Sequence, residues 1–289
     1  MGIKINTKLH FYSQFKHNKL ILKTRKKVIT IQYLGGKSRI STKISEVINN
    51  EISRWKVKNS TADSGNNAER ERERERERSC TFVSLFCGTC SIESKVKGFD
   101  KVLCNDSHEY LIEMLKGVQN GYELPEAISE EQYKYIREHK DEDKVLAGFV
   151  GFGCSFGGKW FGGYARNKTN TNYALQSKKS LHKDIDNMGK VEFVCMDYKD
   201  VNIPDGSIVY ADPPYNNTTG YGKTKFNSES FWEYMREVSK KNKVFISEQN
   251  APNDFMCIWE KPFTRTLDVN KNNQFQVTEK LFTYSTKKI

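Results

Sequence analysis

The chain has 289 residues, which is enough for one large domain with a substantial hydrophobic core, with or without an insertion. None of its apolar runs approaches the roughly 18 residues that a membrane span needs. Its seven cysteines are an odd number and are scattered along the chain, which argues against a secreted disulfide framework. We therefore expect a reduced, cytoplasmic protein, in the host cytoplasm if the source is a virus.

The net charge of +11 originates at one end of the chain. Residues 1–45 contain 11 Lys and Arg and no acidic residue, whereas the remainder contains 36 basic and 36 acidic residues. This excess indicates either contact with a polyanion or a solvated basic tail. We treat residues 1–28 as a basic N-terminal extension, for which the sequence predicts little regular structure.

The first motif of the folded core is Tyr33-Leu34-Gly35-Gly36-Lys37. It is followed by apolar residues at helical spacing between Ile40 and Ile48. A glycine pair allows a ligand to approach the backbone closely, and a lysine at the start of a helix suits an anionic group. Taken alone, the motif is equally compatible with an ordinary loop.

Residues 59–79 interrupt the predicted core. A polar, turn-rich stretch precedes residues 69–78, in which Glu and Arg strictly alternate. Because this alternation offers no apolar face for burial, we predict a solvated low-complexity insertion without a catalytic role.

Alternating strand and helix patterns begin after this insertion. A predicted strand over 81–86 leads through Gly88 into a helix, and a second strand over 101–104 ends at Asp106. An acid about 20 residues after a glycine turn is where the ribose of a nucleotide-type ligand is usually held. The alternative role for Asp106 is that of an N-cap for a helix over 107–115.

The pair Cys87 and Cys90 has the spacing of some zinc and redox sites. No second pair and no histidine follows at ligand spacing, so we do not expect a metal. Small residues in a turn that faces a ligand account for both cysteines.

Residues 107–185 depart from the strand and helix alternation, and we predict that they form a target-recognition insert. Within them, residues 148–166 contain seven glycines, six aromatic residues, Lys159 and Arg166. So many glycines predict a flexible loop, in which cations and rings such as Trp160 suit an unpaired base and its phosphates. The alternative is a buried loop that is packed by its own aromatic rings.

The alternation resumes with a predicted strand over 191–196 that ends at Asp197. Strands over 208–211 and 244–247, a helix over 230–240 and a terminal antiparallel pair follow. These elements predict an α/β protein with a mostly parallel, Rossmann-like sheet. In such sheets ligands bind at the carboxyl ends of the strands, which is where Gly88, Asp106, Asp197 and Asp212 fall.

The motif Asp212-Pro213-Pro214-Tyr215 follows the strand over 208–211. Two prolines fix two φ angles and remove two backbone donors, so an acid and a ring are held in one geometry beside free carbonyl groups. A carboxylate and a carbonyl can accept the hydrogens of an exocyclic amine while the tyrosine ring stacks on the base. The alternative is a strand-end turn with a surface acid and a core tyrosine.

From about residue 29 to residue 284, apart from the Glu-Arg stretch, the chain resembles the Dam-like DNA adenine-N6 methyltransferases of the D12 class, alpha group, of phage and bacterial type. The resemblance rests on the order and spacing of five motifs: Tyr33–Lys37, Phe86–Cys90, Asn105-Asp106, Asp212–Tyr215 and Thr278–Phe282. It implies an S-adenosylmethionine-dependent methyltransferase core over residues 29–106 and 186–289, and double-stranded DNA as the partner.

The resemblance also implies how the cofactor S-adenosylmethionine is held. Tyr33 and Lys37 would line its pocket, and Gly88 would belong to its glycine turn. Asp106 would bind the ribose hydroxyls and Asp197 the adenine amine. No metal is implied, because the sulfonium is already a good leaving group.

For the target, the resemblance implies that Asp212 and the Pro213 carbonyl accept from N6 of an adenine flipped out of the duplex, while Tyr215 stacks on it. Asp212 would also border the cofactor. The family usually has a second glycine where Cys90 stands, so we expect a tighter methionine end of the pocket.

Two alternatives stay open: an RNA adenine-N6 methyltransferase of the same fold, and a nucleic-acid-binding protein with a decayed pocket. A cognate restriction endonuclease is a further partner that the resemblance allows, and we expect a monomer.

Overall fold

Seven strands form one sheet in the structure, a computed structural model that describes residue 37 and residues 40–60, 80–214, 226–266 and 274–285. The strands are β1 (Thr81–Ser84), β2 (Lys101–Asn105), β3 (Glu192–Val194), β4 (Ile208–Ala211), β5 (Lys243–Glu248), β6 (Phe255–Thr266) and β7 (Gln274–Tyr284). Their order is β3-β2-β1-β4-β5-β7-β6. Strands β1 to β5 pair in parallel, and β7 runs antiparallel to both β5 and β6. The predicted sheet with its terminal antiparallel pair is confirmed.

Six α-helices accompany the sheet within the described ranges: α1 (Ser41–Ser60), α2 (Glu109–Gln119), α3 (Glu130–Glu138), α4 (Lys144–Gly148), α5 (Tyr173–Met188) and α6 (Ser228–Ser239). None of them is both long and apolar enough to cross a bilayer. The full helix expected between β1 and β2 is a wrong prediction, because this connection holds only a 3₁₀ turn, Glu93–Lys95. The chain becomes extended at Val96, and Gly98 has a φ of 86°, so the turn cannot continue before β2 begins.

The two faces of the sheet bury different apolar layers. On one face, Ile44 and Ile48 of α1 pack against Ile208 and Phe245. On the other, Phe231 and other residues of α6 pack against the side chains that alternate with them along the same strands. Burial on both faces explains why β1 and β4 are apolar almost throughout, as is usual for parallel strands.

The predicted insert, residues 107–185, shares a hydrophobic core with the sheet. One buried cluster joins Cys104 and Phe193 from the strands to Leu111 of α2, Phe149 and Leu181 of α5. Helices α2 and α5 therefore stabilise the sheet directly. A domain boundary at residues 107 and 185 stays a prediction.

The first glycines of residues 148–166 lie in helical backbone, so the predicted flexible loop is wrong for this half of the segment. Helix α4 ends at Gly148 and continues as one turn of π-helix, Phe149–Gly153. A Cβ at Gly148 would collide with the Tyr110 carbonyl oxygen, and one at Gly151 would overlap the Trp160 ring. These glycines permit close packing, a reason that composition does not distinguish from flexibility.

Several predictions fall outside the described residues. They concern the basic extension, the tyrosine of the first glycine motif, most of the Glu-Arg insertion and the tyrosine of the proline motif, namely residues 1–28, Tyr33, 61–79 and Tyr215.

Candidate active site

The carboxyl ends of β2, β1 and β4 bring three predicted site residues to one edge of the sheet. Ser84 of β1 lies in register with a residue of β2 on one side and of β4 on the other. Asp106 directly follows β2, Gly88 lies in the turn after β1, and Asp212 directly follows β4. Because adjacent parallel strands end at the same edge, the chain collects these groups around one site.

Asp106 is hydrogen-bonded into the glycine turn. Its Oδ2 accepts from the Gly88 amide at 3.2 Å and its Oδ1 from the His108 amide at 3.0 Å. Gly88 has a φ of 50°, in the left-handed region that favours glycine. The N-cap of α2 is His108, so the alternative role of Asp106 as a helix cap is wrong. Burial raises the pKa of Asp106 to about 6, although the backbone donors lower it.

The Cys90 side chain lies in the core and does not narrow the site. It is 0% exposed and belongs to the same buried cluster as Cys87 and Cys104. Its φ of 57° is the backbone conformation that a glycine would adopt at this position. The sequence-based expectation of a tighter pocket therefore loses its physical basis. In the part of the chain that the structure describes, no group of His, Cys, Asp or Glu side chains is arranged to hold a metal ion.

Asp212 belongs to a buried ion-pair cluster. The Nζ of Lys37 lies 3.0 Å from Oδ1 of Asp212 and 2.6 Å from Oε1 of Glu279. Lys37 and Glu279 are 6% and 1% exposed, and the Asp212 side chain is 19% exposed. The resemblance assigned Lys37 to the cofactor pocket. In the structure its ammonium contacts two carboxylates, and a contact with the cofactor stays a prediction.

The charges of this cluster shift its pKa values. Burial raises the pKa of Asp212 to about 6, with Lys37 lowering it and Glu279 raising it further. Burial also lowers the pKa of Lys37, but the two carboxylates outweigh burial and leave that pKa above its usual value. The lysine is therefore charged at neutral pH, and Asp212 is mostly ionised there.

Two more buried carboxyl groups face Asp212. Glu93 accepts from the Ser84 hydroxyl at 2.7 Å, and Glu248 accepts from the Gln249 amide at 2.6 Å. Burial raises the pKa of each to about 7, and the negative charge of Asp212 contributes to both shifts. The site therefore retains protons on carboxyl groups close to neutral pH.

Asp197 lies on an exposed turn after β3, where its Oδ1 accepts from the Lys199 amide at 3.0 Å. The position of this turn is fixed by Asn105, which the sequence analysis quoted within a motif but did not select as a site residue. Asn105 donates to the carbonyl groups of Leu85 at 3.0 Å and Met196 at 3.2 Å, and accepts from the Met196 amide at 3.1 Å. An amide at the buried end of an apolar strand was the signal that could have revealed it.

Comparison with protein-family models identifies the family of the chain. The model described as D12 class N6 adenine-specific DNA methyltransferase matches residues 70–148 and 157–273. The chain belongs to this family. It is an adenine-specific DNA methyltransferase, and its methyl donor is S-adenosylmethionine.

Solved structures that match this chain at low sequence identity include an rRNA methylase, a tRNA methyltransferase and TehB. An rRNA methylase from Streptococcus thermophilus is 7% identical, with 72% of this chain and 89% of that chain covered and a TM-score of 0.30. The tRNA (m1A58) methyltransferase TrmI from Aquifex aeolicus is 12% identical, with 72% and 63% covered and a TM-score of 0.30. TehB from Haemophilus influenzae is 8% identical, with 78% and 64% covered and a TM-score of 0.32.

The strand-end residues of the methyltransferase suit S-adenosylmethionine chemically. Each carboxylate oxygen of Asp106 has a second lone pair after accepting one backbone hydrogen, so the carboxylate can also accept from ribose hydroxyls. The exposed carboxylate of Asp197 can accept from an exocyclic amine. Gly88, in the left-handed conformation, places no side chain at the point where its amide contacts Asp106.

The methyltransferase packs Trp160, a predicted nucleic-acid contact, into an aromatic cluster. This half-buried ring lies 4.6 Å from the His108 ring, 4.8 Å from that of Phe152 and 4.6 Å from that of Phe161, centroid to centroid. The alternative of a segment packed by its own rings therefore describes Trp160 better than a free stacking platform does. Its contact with nucleic acid stays a prediction.

The two predicted cationic contacts, Lys159 and Arg166, are exposed. Arg166 pairs with Glu130 at the start of α3 and lies over the Tyr164 ring at 5.8 Å. Phe156 lies in the same segment with 58% of its surface exposed, and the sequence analysis did not distinguish it from the buried rings. The amino-acid composition of residues 148–166 shows that the segment is rich in rings, but only the packing shows which rings are exposed to solvent.

Proposed function

We propose that this methyltransferase acts at a specific DNA site and methylates N6 of an adenine that has left the duplex. The proposal rests on the carboxylate of Asp212, which the ion pair with Lys37 holds at the sheet edge shared by Gly88 and Asp106. Because the amino group of a base that is stacked and paired in a duplex is not accessible to such a recessed carboxylate, the base must be extruded.

The protein's contribution is to position and polarise the target amine. Asp212 and the Pro213 carbonyl accept its two hydrogens, which favours a pyramidal nitrogen with its lone pair directed at the donor. Bound S-adenosylmethionine supplies the methyl group, so that the N6–C bond forms as the S–C bond breaks and S-adenosylhomocysteine and one proton are released. Asp212 can take this proton, because burial raises its pKa to about 6 and makes it a better base than a solvated carboxylate.

Recognition of cofactor and DNA completes the proposal. Asp106 and Asp197 hold the ribose and adenine of the cofactor, with Tyr33 and Lys37 beside them. Tyr215 stacks on the extruded adenine, a contact that we expect to contribute about 1–3 kcal/mol.

Residues 107–185 supply the recognition surface in this proposal. Lys159 and Arg166 contact phosphates, and Trp160 lies beside the DNA. The enzyme acts as a monomer, and a cognate restriction endonuclease would give the modification its biological role.

Asp212→Ala and the isosteric Asp212→Asn test the proposal. Each should reduce methyl incorporation into DNA by about 1000-fold or more while DNA binding is retained, because the lost carboxylate acts on the amine and not on the phosphates. Asp205→Asn, at an exposed position just before β4, is the matched control and should retain full activity.

The substrate is checked in the same assay by offering tritiated S-adenosylmethionine with duplex DNA or with RNA. Incorporation into DNA at adenine N6, mapped to one sequence context, is the expected result. Near-wild-type turnover by Asp212→Asn would remove this residue from the mechanism, and preferential labelling of RNA would contradict the proposed substrate.

A further inference from the structure

One face of the sheet has an apolar half and a polar half. The side chains of Ile208, Tyr210 and Asp212 follow each other on the face covered by α1, and the first is buried in its apolar layer. Toward the carboxyl ends of the strands the same face becomes polar. There the Tyr210 hydroxyl hydrogen-bonds with the Ser247 hydroxyl at 2.9 Å.

Glu279 brings a charge into this polar half from β7, a strand more than 60 residues away from Asp212 in the sequence. It is two residues from Leu281, so both side chains lie on the α1 face. A carboxyl group that is 1% exposed needs a polar partner, and the Lys37 ammonium at 2.6 Å provides one. The same ammonium contacts Oδ1 of Asp212 at 3.0 Å.

We infer that Glu279 is a positioning residue for the proposed methyl transfer: it holds the Lys37 ammonium against Oδ1 of Asp212 and so fixes the orientation of that carboxylate, whose Oδ2 receives the target amine. The inference rests on the proposed function. A lysine has four rotatable side-chain bonds, and a single ion pair to Asp212 leaves it able to reorient. A second charge-assisted hydrogen bond, which the ammonium donates to Glu279, restricts this reorientation.

The arrangement predicts that removing Glu279 and removing Lys37 shift the pH dependence of the rate in opposite directions. The titratable groups that interact electrostatically with Asp212 come from four elements and from the segment before α1: Lys37, Glu93, Tyr210, Glu248 and Glu279. The negative charge of Glu279 raises the pKa of Asp212 and the positive charge of Lys37 lowers it. Removing Glu279 should therefore move the acidic limb of the rate profile to lower pH, and removing Lys37 should move it to higher pH.

The test compares Glu279→Leu with Glu279→Gln in single-turnover methylation between pH 5 and 8.5. Gln retains an oxygen that can accept from Lys37, whereas Leu does not. At the alkaline plateau, where Asp212 is ionised, we expect Leu to lower the rate by about 100-fold and Gln by about 5-fold or less. Both variants should shift the acidic limb downward, and the Kd for S-adenosylmethionine, measured by calorimetry, should change by less than about 3-fold.

A double-mutant cycle establishes whether Glu279 acts through Lys37. Lys37→Met should lower the plateau rate, and the combination with Glu279→Gln or Glu279→Leu should lower it no further, because the effects of residues that act as a unit are not additive. Glu260→Gln is the matched control, since Glu260 is exposed on β6 opposite Lys280 and should leave the profile unchanged.

Thermal unfolding of each variant distinguishes positioning from loss of fold. If Glu279→Leu does not fold, Glu279→Gln and its combination with Lys37→Met decide the question. A folded Glu279→Leu with the wild-type plateau rate, multiplicative effects in the cycle, or a limb that does not move would overturn the inference. Wild-type protein that methylates no DNA would instead refute the proposed function on which it rests.

Discussion

Two regions of the methyltransferase contain many functional residue types, but different interactions hold them. Asp212 is held by charged groups that come from remote parts of the chain and meet at the end of a sheet. Trp160 is held by rings that are, with the exception of those at the start of α2, near neighbours in the sequence. The sheet brings together functional groups that are far apart in the sequence, whereas the rings of residues 148–166 mostly pack against their own neighbours.

This contrast is tested most strongly by Trp160→Ala. If the ring is mainly a packing element, its removal should lower the free energy of unfolding by about 3–4 kcal/mol, near the low end for a truncated tryptophan because Trp160 is only half-buried. Urea unfolding measures the loss, and DNA affinity should change little when assayed well below the unfolding temperature.

Phe156→Ala is the control for this experiment, because Phe156 lies in the same segment and is 58% exposed. It should leave stability within about 0.5 kcal/mol of the wild type. In the opposite pattern, Trp160→Ala would be fully stable and strongly impaired in DNA binding. Trp160 would then be the stacking platform that the composition of residues 148–166 first suggested.

Glu93→Gln tests the electrostatic side of the comparison. Burial raises the pKa of Glu93 from about 4.5 to about 7, so between these values the folded protein binds more protons at this site than the unfolded chain does. The contribution of Glu93 to stability is therefore fully present below about pH 4.5 and is lost as the pH rises to about 7. The difference between these two pKa values corresponds to a total loss of about 3 kcal/mol.

The expected result is that Glu93→Gln unfolds with a flatter pH dependence than the wild type, and that the difference in unfolding free energy changes by about 2–3 kcal/mol between pH 4.5 and 7.5. Gln can still accept from the Ser84 hydroxyl, which limits the structural change. Parallel curves for variant and wild type would mean that Glu93 is ionised without penalty. Glu248 is kept unchanged in this variant. Its own raised pKa accounts for the pH dependence of the unfolding free energy that remains.

The same contrast explains what the sequence could and could not predict. Strands that end at Asp106 and Asp212 were predictable, because apolar runs and the turns after them are local signals. The pairing of β7 between β5 and β6, which brings Glu279 to Lys37, is not a local property. The one acid within the predicted terminal strand, Glu279, was the available sign that this strand lies beside a charged group.

In residues 148–166, the sequence analysis attributed the first glycines to flexibility, which is wrong, because they allow close packing. Gly148 packs closely against Tyr110 and Gly151 against Trp160. These partners lie outside the helical turns that hold the two glycines, so the periodicity of apolar residues does not predict the contacts. Exposure is equally non-local: Phe152 is 0% exposed and Phe156 is 58% exposed, although both stand in the same glycine-rich setting.

Arg166→Ala should have the smallest effect on stability and sharpens the comparison from the DNA side. The ion pair of Arg166 with Glu130 is exposed, so its loss should cost about 0.5 kcal/mol or less. If Arg166 contacts a phosphate, DNA binding should weaken to a similar degree for cognate and unrelated duplexes, and the dependence of log Kd on log salt should lose a slope of about 1.

Glu130→Gln separates the two roles, because it also breaks the ion pair but leaves the cation in place and should not weaken DNA binding. Equal weakening by both variants would mean that the ion pair orders the segment and that Arg166 does not itself touch DNA.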